Sequence, residues 1–108
     1  MTVLRKRADF LAANGGRRVP MPGFVLLARH RNDGDPAIRF GITVTKKIGG
    51  SVVRNRMKRR FRALIRELLP AEGMPGADHV LIGRSSGIER GFADLKRELS
   101  KALAKAKR

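Results

Sequence analysis

Cysteine, tryptophan and tyrosine are absent from this chain, and acids are scarce: 9 Asp and Glu stand against 25 Lys and Arg in 108 residues. The missing cysteines exclude a disulfide framework, a thiolate metal site and a thiol nucleophile, and they fit a reducing compartment. With no Tyr or Trp, all aromatic surface rests on 5 Phe. Apolar runs such as Phe24-Val25-Leu26-Leu27-Ala28 fall far short of the roughly 20 residues that a membrane span needs. Arg5, Lys6 and Arg7 are followed by no apolar segment, so the start does not read as a secretory signal. No membrane partner is expected. The 2 histidines, His30 and His79, have no partner at metal-ligand or triad spacing, and a structural role is expected for each. Asp33 and Asp35 belong to a turn, and Ser85-Ser86 has no evident base near it. Neither a catalytic residue nor a metal or cofactor held by the protein is expected.

What the chain has in excess is positive charge. A formal net charge of +16 exceeds what solubility requires, and one small folded domain must bear the self-repulsion. A polyanionic partner, nucleic acid first, accounts for it. The charge is concentrated. Lys46, Lys47, Arg54, Arg56, Lys58, Arg59, Arg60 and Arg62 fall in one stretch, and no Asp or Glu occurs between Pro36 and Arg66. Solvated helix faces usually mix signs to gain i,i+4 pairs; this one cannot neutralise itself. Its apolar residues Val53, Met57, Phe61, Leu64 and Leu68 recur at helical steps. Asn55, Lys58, Arg59, Arg62 and Arg66 then point away from that stripe, with Arg54, Arg56 and Arg60 along its flanks. Arg outnumbers Lys here, and a planar guanidinium suits bidentate phosphate contacts. The pattern predicts a helix anchored by one face, with a phosphate-binding surface on the other.

Periodicity and breakers predict the remaining elements. Leu4 to Asn14 reads as a helix with Leu4, Ala8, Leu11 and Ala12 on one side, stopped by Gly15-Gly16. Pro20 and Pro22 make Arg17 to Gly23 an edge segment or loop. Phe24 to His30 is a strand and Arg31 to Pro36 a turn. Ile38 to Lys46 is a strand whose buried face is Ile38, Phe40, Ile42 and Val44. Gly49-Gly50 lacks Walker spacing, because the Lys pair precedes the glycines, so it is a joint and not a nucleotide loop. Ser51 is the expected N-cap, and Pro70, Gly73, Pro75 and Gly76 close the helix. His79 to Gly83 is a central strand. Phe92 to Lys107 is a helix on the stripe Phe92, Leu95, Leu99 and Leu103, with residues 101–108 as a frayed basic tail. The expected order is helix, two or three strands, helix, strand, helix: a single α+β domain over residues 1–108, a sandwich with helices covering one face of a small sheet. Phe10 is either core or a stacking platform for an unpaired base.

Thr45-Lys46-Lys47-Ile48-Gly49, then Ser51-Val52-Val53-Arg54-Asn55-Arg56-Met57-Lys58-Arg59, resembles the signature of the bacterial ribonuclease P protein subunit family. The resemblance covers nearly the whole chain, through Phe10, the Phe24-Val25-Leu26 strand, the Arg39 to Val44 strand and the Asp78 to Ile82 strand. It implies an α-β-β-β-α-β-α order, with helices packed on a small mixed sheet and a left-handed βαβ crossover, an exception to the usual hand. It implies that the chain joins a catalytic RNA, as one protein per RNA and a monomer when free. That assembly is an endoribonuclease which removes the 5′ leader of precursor tRNA, using Mg2+ held mainly by the RNA. Carried over by position, Lys46, Lys47, Arg54, Asn55, Arg56, Lys58, Arg59 and Arg62 bind RNA. Phe10, Lys46, Arg54 and Arg62 form a leader cleft between the first helix and the sheet. Ala13 and Asn14 stand where the family often has a second aromatic, and Leu27 where Tyr is common; both changes remove stacking or hydroxyl contacts. Ser51 in place of Ala is a mild change. The alternative is a small basic ribosomal or RNA-chaperone-like protein with no role in cleavage.

Overall fold

Two strands whose residues are apolar on both sides decide the architecture, because each must be covered twice. In the computed structural model, which describes residues 1–107, they are β3 (Phe24–His30) and β5 (Ala77–Gly83). The other elements are β1 (Thr2–Val3), α1 (Arg7–Ala13), β2 (Arg17–Pro20), β4 (Arg39–Thr43), α2 (Ser51–Glu72) and α3 (Phe92–Ala106). The sheet order is β1-β4-β5-β3-β2, so β5 is central. It runs parallel to β4, with α2 as the crossover, and antiparallel to β3. The sheet is mixed and its edges are short: β1 has two residues, and β2 ends in Pro20, which lacks a ladder donor.

Helices cover both faces of this sheet, not one. Phe24, Leu26 and Ala28 of β3, Phe40 of β4 and Leu81 of β5 pack with Met57, Phe61, Leu64 and Ile65 of α2 and Leu95, Leu99 and Leu103 of α3. Phe24 and Phe61 meet edge to face, with ring centroids 6.0 Å apart. The alternate residues Val25, Leu27 and Val80 form a second, smaller core with Leu4, Ala13 and half-buried Phe10 under α1. The period-two pattern of the strands therefore feeds two layers.

Several expectations need correction. The first helix is shorter than Leu4 to Asn14: Thr2 and Val3 pair with Arg39 and Phe40 of β4. Leu4 is buried outside the helix, Ala8 and Leu11 are exposed, and Phe10 and Ala13 face inward. Strand β4 stops at Thr43, and Lys46–Ile48 form a 3-10 turn. Gly50, not Ser51, is the N-cap of α2, and it offers no side-chain bond. Pro70 lies inside α2, because its missing N–H affects only the Arg66 carbonyl in the last turn. The helix ends where the Gly73 N–H donates to the Leu69 carbonyl at 2.9 Å. Phe92, placed on the buried stripe of α3, is exposed, and Glu98, Ala102 and Ala106 join that stripe instead. The supposed tail is helical to Ala106, with Ala102 and Leu103 fully buried; Arg108 lies outside the described residues.

Candidate nucleic-acid interface

The apolar stripe of α2 is held in the core, so the opposite face must point to solvent. Asn55, Arg56, Arg59, Arg62 and Arg66 are exposed and Lys58 is half-buried, as the wheel requires. Val52, Asn55, Lys58, Arg59 and Arg62 line one shallow concavity of ≈ 470 Å³. Lys46 and Lys47 are exposed in the turn before the helix. Among the described residues, none of the basic groups from Lys46 to Arg66 is in an ion pair. Two of them bond to backbone instead: Arg54 Nε donates to the Gly49 carbonyl at 3.2 Å, and Arg60 donates to the carbonyls of Ile88 and Arg90. Neither contact neutralises charge. The acids of α2 come only after Arg66, where Glu67 receives Lys96 at 2.7 Å and Glu72 receives the Ser100 hydroxyl. One end of the helix is thus bound to α3 and the other left positive.

A second concavity, ≈ 180 Å³, lies between α1 and α2 at the edge of the sheet. It exists because β1 is short. The Leu4 N–H donates to the Phe40 carbonyl at 2.7 Å, and among the described residues no strand pairs with the outer edge of β4 beyond that point. Its walls are Val3, Leu4, Phe10, Phe40, Gly41 and Ile42 on one side and Lys58 and Arg62 on the other. The Phe10 ring lies on the Gly41 backbone, where a Cβ would overlap it. Lys58 and Arg62 line both concavities, so the basic face of α2 continues into the Phe10 cleft.

Of the residues expected at that cleft, Phe10 and Arg62 meet there, while Lys46 and Arg54 do not line it. Arg54 is turned back onto Gly49 by its own hydrogen bond. Val3, Leu4 and Gly41 were not anticipated. A glycine inside the alternating β4 pattern was the available signal, since it marks a close approach.

The ion pairs near the cleft are structural. Asp78, fully buried, accepts from Arg39 at 2.6 and 2.7 Å and from Arg31 at 2.8 Å, and Arg39 also reaches Asp9 of α1 at 3.4 Å. Burial alone would raise the Asp78 carboxyl, but the bonds from Arg39 and Arg31 outweigh it and hold it below its usual range. His79 is buried, and its Nε2 accepts the Met74 N–H at 3.1 Å. Nδ1 therefore carries the proton and donates to the Arg39 carbonyl at 3.1 Å. Desolvation lowers its pKa, so it is neutral. Among the described residues no three of His, Asp and Glu converge on a metal site, and no helix is long and apolar enough to cross a membrane.

A guanidinium band without ion pairs, joined to a small aromatic cleft on an α+β domain, is a surface of the kind that suits a phosphate backbone and its bases. Comparison specifies the family. The ribonuclease P family model matches residues 2–107. The ribonuclease P protein component of Erythrobacter litoralis is 65% identical over 105 residues, covering 97% of this chain and 85% of that one. The component of Gluconacetobacter diazotrophicus is 52% identical over 104 residues, covering 95% and 89%. The solved ribonuclease P protein of Staphylococcus aureus superposes with a TM-score of 0.83 at 27% identity, over 99% of this chain and 96% of that chain. That of Thermotoga maritima also gives 0.83, at 29% identity, over 97% of each. The chain belongs to the ribonuclease P protein family. It is the protein part of a ribonucleoprotein endoribonuclease for tRNA processing, and the catalytic RNA is a separate molecule.

Proposed function

We propose that α2 docks this chain on the catalytic RNA through Arg56, Arg59, Asn55 and Lys58, with Lys46, Lys47 and Arg54 at the border. The single-stranded 5′ leader of precursor tRNA enters the cleft of Phe10, Lys58 and Arg62. One observation supports this reading most: Lys58 and Arg62 line both concavities, so one row of cations serves two RNA strands. The protein contributes binding and orientation. Mg2+ held by the RNA would supply water activation and stabilisation of the leaving oxygen; among the described residues of this chain no group of three His, Asp or Glu is placed to hold it. One monomer acts per RNA, in the bacterial cytoplasm.

Reconstitution with a bacterial ribonuclease P RNA at low magnesium tests this. Wild type restores precursor cleavage. Replacing Arg56 and Arg59 together by Ala weakens RNA binding and makes the log–log salt slope shallower by about 1 per lost contact, with a melting temperature no lower than that of wild type. Binding without cleavage would favour a ribosomal or chaperone-like protein. An unaltered affinity in the double variant would mean that the face is merely solvated.

A further inference from the structure

A cavity of ≈ 590 Å³ opens at the end of the sheet where β2 begins and β3 ends, and neither the α2 face nor the Phe10 cleft includes it. Its floor is the Gly15-Gly16 turn against β3. That contact needs glycine, because a Cβ at position 16 would collide with the Ala28 carbonyl. Arg17, Arg29, His30 and Lys107 stand around it, and no Asp or Glu lines it. Arg31 also reaches the cavity, but Asp78 and Asp33 neutralise it. Half-buried Arg29 lies across from Asp78 in the β3–β5 register, yet that carboxylate is occupied by Arg31 and Arg39. Among the described residues the Arg29 guanidinium has no hydrogen bond or ion pair.

This surface does not continue the first. Arg56 and Glu72 are about 24 Å apart along α2 at 1.5 Å per residue. Glu67, between them, and Glu72 itself interrupt the basic face by bonding α3. The cavity shares no lining residue with either concavity of the α2 face.

We propose that this cavity is a second RNA-phosphate site, in which Arg29 and Lys107 hold a backbone phosphate over the Gly15-Gly16 turn. The inference rests on the ribonuclease P reading. Catalytic RNA and tRNA present the same phosphodiester, and binding assays separate them. R29Q/K107Q, K107Q alone and the charge-keeping R29K/K107R are compared with wild type and with R56A/R59A. Each is assayed for catalytic-RNA affinity across a salt series, for holoenzyme affinity toward precursor and mature tRNA, and for melting temperature.

In one of the two RNA assays, R29Q/K107Q loses about tenfold or more in affinity and about 1 to 2 in salt slope. K107Q shows part of that loss, and R29K/K107R restores it. A loss toward catalytic RNA assigns the phosphate to that molecule; a loss seen only with tRNA assigns it to the substrate. Unchanged affinities and slopes with a lower melting temperature overturn the proposal, leaving cations that only balance the carbonyl end of α3. Should R29Q/K107Q not fold, an unchanged slope in K107Q overturns it equally. If R56A/R59A also binds catalytic RNA normally, the ribonuclease P reading itself has failed.

Discussion

Phe10 owes its position to a residue without a side chain. Gly41 lets the ring lie on β4, and the short β1 leaves the ring half-exposed beside Arg62. Of the two readings open from sequence, packing is met in part, and the half of the ring left exposed is the face that stacking would need. Base–aromatic stacking is worth about 1–3 kcal/mol per base. Phe10→Ala should weaken precursor tRNA binding by that amount and leave mature tRNA and catalytic-RNA affinity intact. Equal losses for both tRNAs, with a lower melting temperature, would reduce Phe10 to packing. His79 has a different use. Its folded pKa lies below the ordinary 6.5, so the unfolded chain binds more protons as pH falls. His79 thus supports the fold fully above about pH 6.5 and progressively less below it. Chemical denaturation from pH 7.5 to 5 should show falling stability in wild type and a flatter profile in His79→Gln. Parallel profiles would remove His79 from the account.

At the scale of elements, α1 is a seven-residue helix with no side-chain cap, tied to the sheet by a small core and by Asp9–Arg39. Arg39 is held in turn by Asp78, which also holds Arg31 of the turn after β3. Removing one partner from a buried ionic cluster leaves the others without compensation, at a cost of about 3–5 kcal/mol. Asp78→Asn should lower denaturant stability by that order. At temperatures where the variant stays folded, its affinity for catalytic RNA should remain near wild type, because α2 is anchored in the other core. Equal loss of RNA affinity in fully folded variant would show that the two layers are coupled.

For the whole molecule the governing number is +16. A body with this charge and a radius of gyration of 12.9 Å is destabilised by self-repulsion, and anything anionic that binds only the native state stabilises it. Sulfate should therefore raise the melting temperature more than chloride at matched ionic strength. R56A/R59A should blunt the difference. Equal effects of the two salts would mean simple screening.

Sequence alone determined the elements whose residues repeat with a clear period: the apolar stripe and basic face of α2, the alternation of β4 and the apolar run of β5. These follow from the geometry of one helix or strand, and neighbours hardly alter them. The Arg-Asn-Arg stretch also led to the family, since the order of its charges is local information. Other features were not legible because they depend on contacts between distant residues. β1 forms only by pairing with β4, so Leu4 left the helix to which its composition assigned it. Coverage of both sheet faces required knowing that β5 inserts between β3 and β4. Arg54 and Lys46 have the charge expected at the leader cleft, but direction is set by backbone placement, and Lys58 lines the cleft instead. Charge was readable from the chain; only the packing of α1, α2 and the edge of β4 decided where it points.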